Sequence, residues 1–194
     1  FALAALLLAA VCRVTRRPLG FAPAAHVLMA MQGLTFFGLN YVGVYEAERH
    51  VASGLVAVVF STIVFMTPFG AWFAFRTPIA PRTLIGGVLG VAGIALLFLP
   101  ELATVREGGH VAIGLTWAFG STAIAAIGNL VSMRMQRAGL AVLPSAAWGM
   151  LYGALVAAAW PSGLTPTPPV RIIGAHTDSP NLRLKPRPTT LAAG

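Results

Sequence analysis

Apolar residues run unbroken over lengths that few soluble helices need, and polar residues gather between those runs. Val51–Phe75, Val111–Met133 and Ala138–Trp160 contain no Asp, Glu, Lys or Arg. Pro23–Val44 has His26 as its only basic side chain, Leu84–Leu99 is a shorter run of the same kind, and Phe1–Cys12 reads as the end of another. Crossing a hydrocarbon core of about 30 Å takes roughly 20 mostly apolar residues. The pattern therefore predicts about five full transmembrane helices, preceded by one truncated helix already under way at Phe1. After Trp160 the pattern changes. Pro161, Pro166, Pro168 and Pro169 form an extended joint, and the RIIGAHTDSPNLRLKPRP that follows has the polarity of a water-exposed segment.

The expected fold class is an all-α membrane protein. It consists of a partial helical bundle over 1–160, a Pro-rich linker over 161–169 and a distinct segment over 170–194. That last segment has too few apolar side chains to bury a core of its own, so it is expected to be disordered. Within the bundle, Pro68 removes a backbone donor and predicts a kink. Gly86, Gly90 and Gly93 form a small-residue stripe that includes a GxxxG, which predicts close approach of a neighbouring helix. Trp72 and Trp160 fall where headgroup interfaces are expected.

Composition agrees with this solvent assignment, since 57% of residues are hydrophobic and 9% are charged, whereas a soluble domain is about a quarter charged. The formal charge of +8 matters through its distribution. Arg13, Arg16 and Arg17 make one connection positive, and Glu46, Glu48 and Arg49 make the next negative. Arg76 and Arg82 are positive again, Glu101, Arg106 and Glu107 negative, and Arg134 and Arg137 positive. The positive-inside rule assigns 13–19, 76–82 and 134–137 to the cytoplasm, as expected for a bacterial inner membrane. Charges dealt out one connection at a time do not make a nucleic-acid patch, so the expected partner is the lipid bilayer. The arginines follow the first apolar run instead of preceding it, which excludes a signal peptide. Cys12, the single cysteine, excludes an internal disulfide and a cysteine-based zinc cage.

The stretch SGLVAVVFSTIVFMTP, with small residues and serine before a mid-helix proline, is followed by the glycine-rich GGVLGVAGIALL. Together they resemble EamA-type transporters of the drug/metabolite transporter superfamily, over roughly residues 1–160. The resemblance implies ten helices in two inverted five-helix repeats and alternating access around a midplane site. Phe1–Cys12 then corresponds to the end of helix 2 and the later spans to helices 3–7, with helices 1 and 8–10 absent. Phe75 stands before Arg76 where such transporters often carry a glutamate. The implied function is movement of a small metabolite, with no cofactor, and the fragment itself is expected to be inactive.

Substrate contacts are expected from polar side chains near span midpoints, namely Gln32, Ser61, Thr62, Ser121, Thr122 and Trp148. The competing role for each is an interhelical hydrogen bond, worth roughly 0.6 kcal/mol on average. No span carries a midplane carboxylate, so a proton relay built on Asp or Glu has no candidate.

The segment RIIGAHTDSPNLRLKPRP resembles the metal-binding segment of M18 aminopeptidases, in GAH, then TDSP, then a leucine, basic and proline exit. The resemblance implies zinc as cofactor, His176 as a zinc ligand and Asp178 as the catalytic-site carboxylate supporting it. A second-shell carboxylate orients a ligating imidazole and raises its basicity. Catalytic zinc, however, needs three protein ligands, and one histidine does not supply them. Zinc is therefore not expected to bind here. The tail's Arg171, Arg183, Lys185 and Arg187 outweigh Asp178 on what would be the outer side, which breaks the charge alternation. The boundary near Trp160 is thus read as a junction between two incomplete proteins. The alternative reading is a zinc-dependent aminopeptidase fragment in which the helices are the intruder.

Overall fold

A computed structural model of the chain describes residues 1–99 and 109–159. These belong to the first of its two units, Phe1–Pro161, and among them the chain is helical with no strand. Six helices follow one another: α1 (Ala2–Val14), α2 (Pro23–Glu48), α3 (Ser53–Phe75), α4 (Pro81–Leu97), α5 (Gly109–Arg137) and α6 (Val142–Ala159). Their ends follow local chemistry. Pro23 and Pro81 open α2 and α4, where the missing N–H is no loss and φ is already helical. Gly139, at φ 77°, closes α5: its N–H donates to Gln136 O and that of Leu140 to Met135 O, a Schellman arrangement that favours glycine.

Three helices, α2, α3 and the His110–Arg137 part of α5, are long and apolar enough to cross a membrane. The other two expected spans are shorter. The 17 residues of α4 give about 25 Å at 1.5 Å per residue, less than a full hydrocarbon core. Large apolar side chains point outward, with Phe73 78%, Leu3 69%, Leu96 69% and Leu89 68% exposed. The interior holds small residues such as Ala47, Ala118, Ala125 and Ala147. A contiguous apolar exterior of this kind is rare on soluble monomers. Between membrane helices, where lipid supplies no hydrophobic drive, packing relies on the close approach that small residues permit.

Contacts fix the helix directions. Gln32 meets Ser132, Gly128 faces Phe36 and Gly43 faces Ser121, so α2 and α5 are antiparallel. Thr67 meets Asn129, Thr77 meets Arg137 and His50 lies beside His110, so α3 and α5 run parallel. Trp148, in the second turn of α6, donates to Leu19 O at 2.9 Å. The connections 13–19, 76–80 and 138–141 therefore lie towards one end of the bundle.

Pro68 lies inside the helical segment Ile63–Phe75, and α3 has a separate interruption at Thr62. There the Ser61 and Thr62 hydroxyls donate to Val58 O and Val59 O, each at 2.6 Å, and the Thr62 N–H turns to Val59 O, three residues back. Side chains that bond back to the helix backbone compete with its regular ladder. The close approach expected at the glycine stripe of α4 is corrected. A Cβ on Gly86, Gly90 or Gly93 would meet nothing within 4 Å among the described residues, whereas one on Gly87 would lie 2.9 Å from the Phe65 ring. The spacing marks a face that permits close approach without supplying the neighbour.

Candidate functional site

The middle of α2 is not a regular α-helix. Between α-helical Pro23–Gln32 and Asn40–Glu48, residues Gly33–Leu39 form a π-helix, a rare widening often found at functional sites. It lies where α2 rests on the backbone of α6. A Cβ on Gly33 would stand 2.6 Å from Gly149 O and 2.9 Å from Gly153 N, so only glycine admits this approach.

Gln32 and Asn40 bracket the widened segment, and both are buried, at 8% and 3% exposure. Gln32 Nε2 donates to Ser132 Oγ at 2.6 Å, and Ser132 donates onward to Gly128 O at 3.0 Å. Asn40 Nδ2 donates to Phe36 O at 3.3 Å. The carboxamide oxygens, Gln32 Oε1 and Asn40 Oδ1, have no donor among the described residues. A buried acceptor without a partner costs about 1–3 kcal/mol. Both oxygens are therefore places where a ligand's N–H or O–H would gain more than it would from water.

The other sequence candidates are placed differently. Ser61 and Thr62 bond to their own helix, as do Ser121, to Ala118 O at 2.9 Å, and Thr122, to Ala118 O at 2.7 Å. Their hydroxyl protons are used locally, and only oxygen lone pairs remain. Trp148 belongs to an aromatic cluster with its ring 4.8 Å from His26 and 6.0 Å from Tyr152, and His26 Nδ1 lies 2.9 Å from the Tyr152 hydroxyl. Gln32 lies about 9 Å deeper along α2 than His26, by helical rise.

Ser132 and Tyr152 were not among the residues expected from the sequence. The i, i+4 spacing of Trp148 with Tyr152 and of Gly128 with Ser132 was the available signal, since such pairs share a helix face.

A cavity of about 270 Å³ opens between α3, α4 and α5, lined by Thr67, Pro68, Thr77, Ala80, Thr83 and Met133 among others. A smaller one of about 100 Å³, between α1 and α6, is almost wholly apolar, with Ala5, Ala9, Leu19, Ala147, Trp148 and Leu151 in its wall.

Among the described residues no group of three or more His, Cys, Asp or Glu converges to hold a metal. His50 and His110 stack with ring centroids 6.2 Å apart, two imidazoles without a third ligand among the described residues. The described part of the chain thus does not fit a catalytic zinc, which needs three protein ligands. His176, Asp178 and the expected disordered tail lie outside the described residues.

No family model matches the chain, and no solved structure matches it. Short matches exist to curated proteins named "probable M18 family aminopeptidase 2". Identity is 62% over 42 residues with that of Streptomyces avermitilis, 62% over 42 with that of Streptomyces coelicolor and 55% over 42 with that of Mycobacterium leprae. Each match covers 22% of this chain and 10% of the relative, so the chain spans about a tenth of the length of these proteins. The chain is therefore similar to M18 aminopeptidases over one short stretch, while its described residues form apolar helices.

Proposed function

We propose that residues 1–160 are a transporter-like membrane bundle of the EamA type, which binds a small polar metabolite between α2, α5 and α6. The observation that carries this reading is the unpaired Gln32 Oε1, buried inside a bundle with an apolar exterior. A polar group kept in that setting at a cost of about 1–3 kcal/mol fits a ligand contact better than packing. Ser61, Thr62, Ser121, Thr122 and Trp148 remain proposed contacts, the hydroxyls as acceptors. The bilayer is the partner, and the basic segments 13–19, 76–82 and 134–137, at or beside the connections of one end, face the cytoplasm of a bacterial inner-membrane protein. The common end shared by the basic connections supports that orientation.

The test uses the single native cysteine to advantage. In a Cys12→Ser background, Gln32→Cys is probed in sealed vesicles with a membrane-impermeant thiol reagent added from each side. Slow labelling from at least one side is expected, because a site that binds a polar metabolite must be reachable from water, although the fragment itself is expected to be inactive. No labelling from either side would sink the transport reading.

A second reading rests on the M18 matches. We place the 42 matched residues around RIIGAHTDSPNLRLKPRP, where a stretch of that length begins at or before residue 153 and takes in 161–169 as well, and infer that 170–194 belongs to a piece of an M18-type zinc aminopeptidase. His176 and Asp178 would be its zinc-site residues, and the piece alone provides too few ligands for activity. Metal analysis of the purified chain is expected to give no stoichiometric zinc. One zinc per chain that disappears in His176→Ala would reverse the order of the two readings.

A further inference from the structure

We infer that a phosphate group binds at the mouth of the mainly apolar cavity between α3, α4 and α5, held by the lining hydroxyls of Thr67, Thr77 and Thr83 and by Arg137, which lies outside the lining and bonds Thr77. Its polar chemistry is one-sided. Thr67 Oγ1 accepts from Asn129 Nδ2 at 3.2 Å, and Thr77 Oγ1 accepts from Arg137 Nη2 at 2.7 Å. Each hydroxyl has one proton of its own to donate, and neither proton has an acceptor among the described residues. Thr83 adds a third hydroxyl to the wall.

Arg137 is held from two directions, by Thr77 and by the Phe75 ring, 4.6 Å from the guanidinium carbon. A guanidinium carries five N–H donors, so most remain for a ligand after the bond to Thr77. Arg76 and Arg82 flank the same connection. Segments 51–99 and 109–159 contain no Asp or Glu, and the ion pair among the described residues, Arg49 with Glu46, lies at the other end of the bundle.

Hydroxyl donors beside a guanidinium, with no acidic partner among the described residues, select an anion with many acceptor oxygens. Phosphate suits them better than carboxylate, because its oxygens point in tetrahedral directions and reach separate hydroxyls while the guanidinium fork takes two. The recess lies at the ends of α3 and α5, at headgroup depth if these helices cross a bilayer, where basic pockets between helices bind anionic headgroups. A phosphorylated solute offers the same group. The site shares no residue with the Gln32–Ser132 pair, so it stands or falls separately from transport.

The full purified chain is incubated in detergent with equal amounts of phosphatidylglycerol and phosphatidylcholine, and bound lipid is counted by native mass spectrometry. Preferential retention of phosphatidylglycerol is expected. It should fall about tenfold in Arg137→Gln and several-fold in Thr77→Val, which leaves the charge in place, and hold in Arg17→Gln, a basic position in another connection. Circular dichroism confirms that each variant is folded, and Thr77→Val carries the test if Arg137→Gln is not. Inorganic phosphate is then titrated in: displacement of the lipid assigns a site open to soluble phosphates, and retention assigns the lipid headgroup. Equal retention of both lipids with no effect of phosphate overturns the proposal, as does equal weakening by Arg17→Gln and the site variants.

Discussion

Gln32 and Ser132 meet across the antiparallel pair α2 and α5 at 2.6 Å, a bond that satisfies the amide nitrogen of Gln32 and leaves its oxygen alone. The pair is half a polar network. Partly satisfied networks are costly where the dielectric is low.

Gln32→Met is therefore expected to leave stability unchanged or raise it. The lost hydrogen bond is worth about 0.5–1.5 kcal/mol and the removed orphan acceptor costs about 1–3 kcal/mol. Thermal unfolding in detergent reads this effect. A clear drop in melting temperature would mean that Oε1 has a donor after all.

Gly33→Ala and Gly90→Ala should behave oppositely. The new methyl at position 33 would lie 2.6 Å from Gly149 O and 2.9 Å from Gly153 N, backbone atoms that move only with the whole of α6, so overpacking of about 1–3 kcal/mol is expected. At position 90 it would meet nothing within 4 Å, and the helix-propensity gain of up to about 1 kcal/mol should show. Equal effects in a denaturation series would contradict the packing described for α2 and α6.

Trp148→Phe keeps an aromatic ring beside His26 and Tyr152 and removes the donor to Leu19 O. A loss of about 1 kcal/mol is expected, together with faster proteolysis within 15–22, the connection that this bond ties down. Unchanged cleavage would show that the bond does not restrain it.

The double substitution Ser61→Ala with Thr62→Val removes the two hydroxyls that bond back to Val58 and Val59. Amide exchange around Thr62 should slow as the regular ladder closes. If exchange is unchanged there but slows in Pro68→Ala, the proline and not the hydroxyls sets the interruption.

The helices and their order were legible because a membrane span needs length and low charge, both visible in runs such as Val51–Phe75. Helix directions were legible from the alternating connections, and the contacts of Arg137 with Thr77 and of Trp148 with Leu19 agree with them. The π-helix was not legible, since Gly33 and Phe37 acquire their constraint from Gly149 and Gly153, more than a hundred residues away. Of the polar candidates, Gln32 emerged with an unpaired atom and Ser121 and Thr122 with local bonds. Residue type records what a side chain is able to bond, and which bonds form depends on its neighbours. The cavity between α3, α4 and α5 was invisible for the same reason, being assembled from three helices.

The glycines where α2 touches α5 and α6 have a mechanical consequence. Gly33, Gly43, Gly128 and Gly153 are notches, and the side chains of Tyr152, Ser121, Phe36 and Phe37 lie in them across the contact. Helices joined by knobs and holes must climb out of one notch to reach the next, so a shift of α2 along α5 or α6 requires these side chains to leave their places. The surface that allows the tightest approach in this bundle also fixes its register.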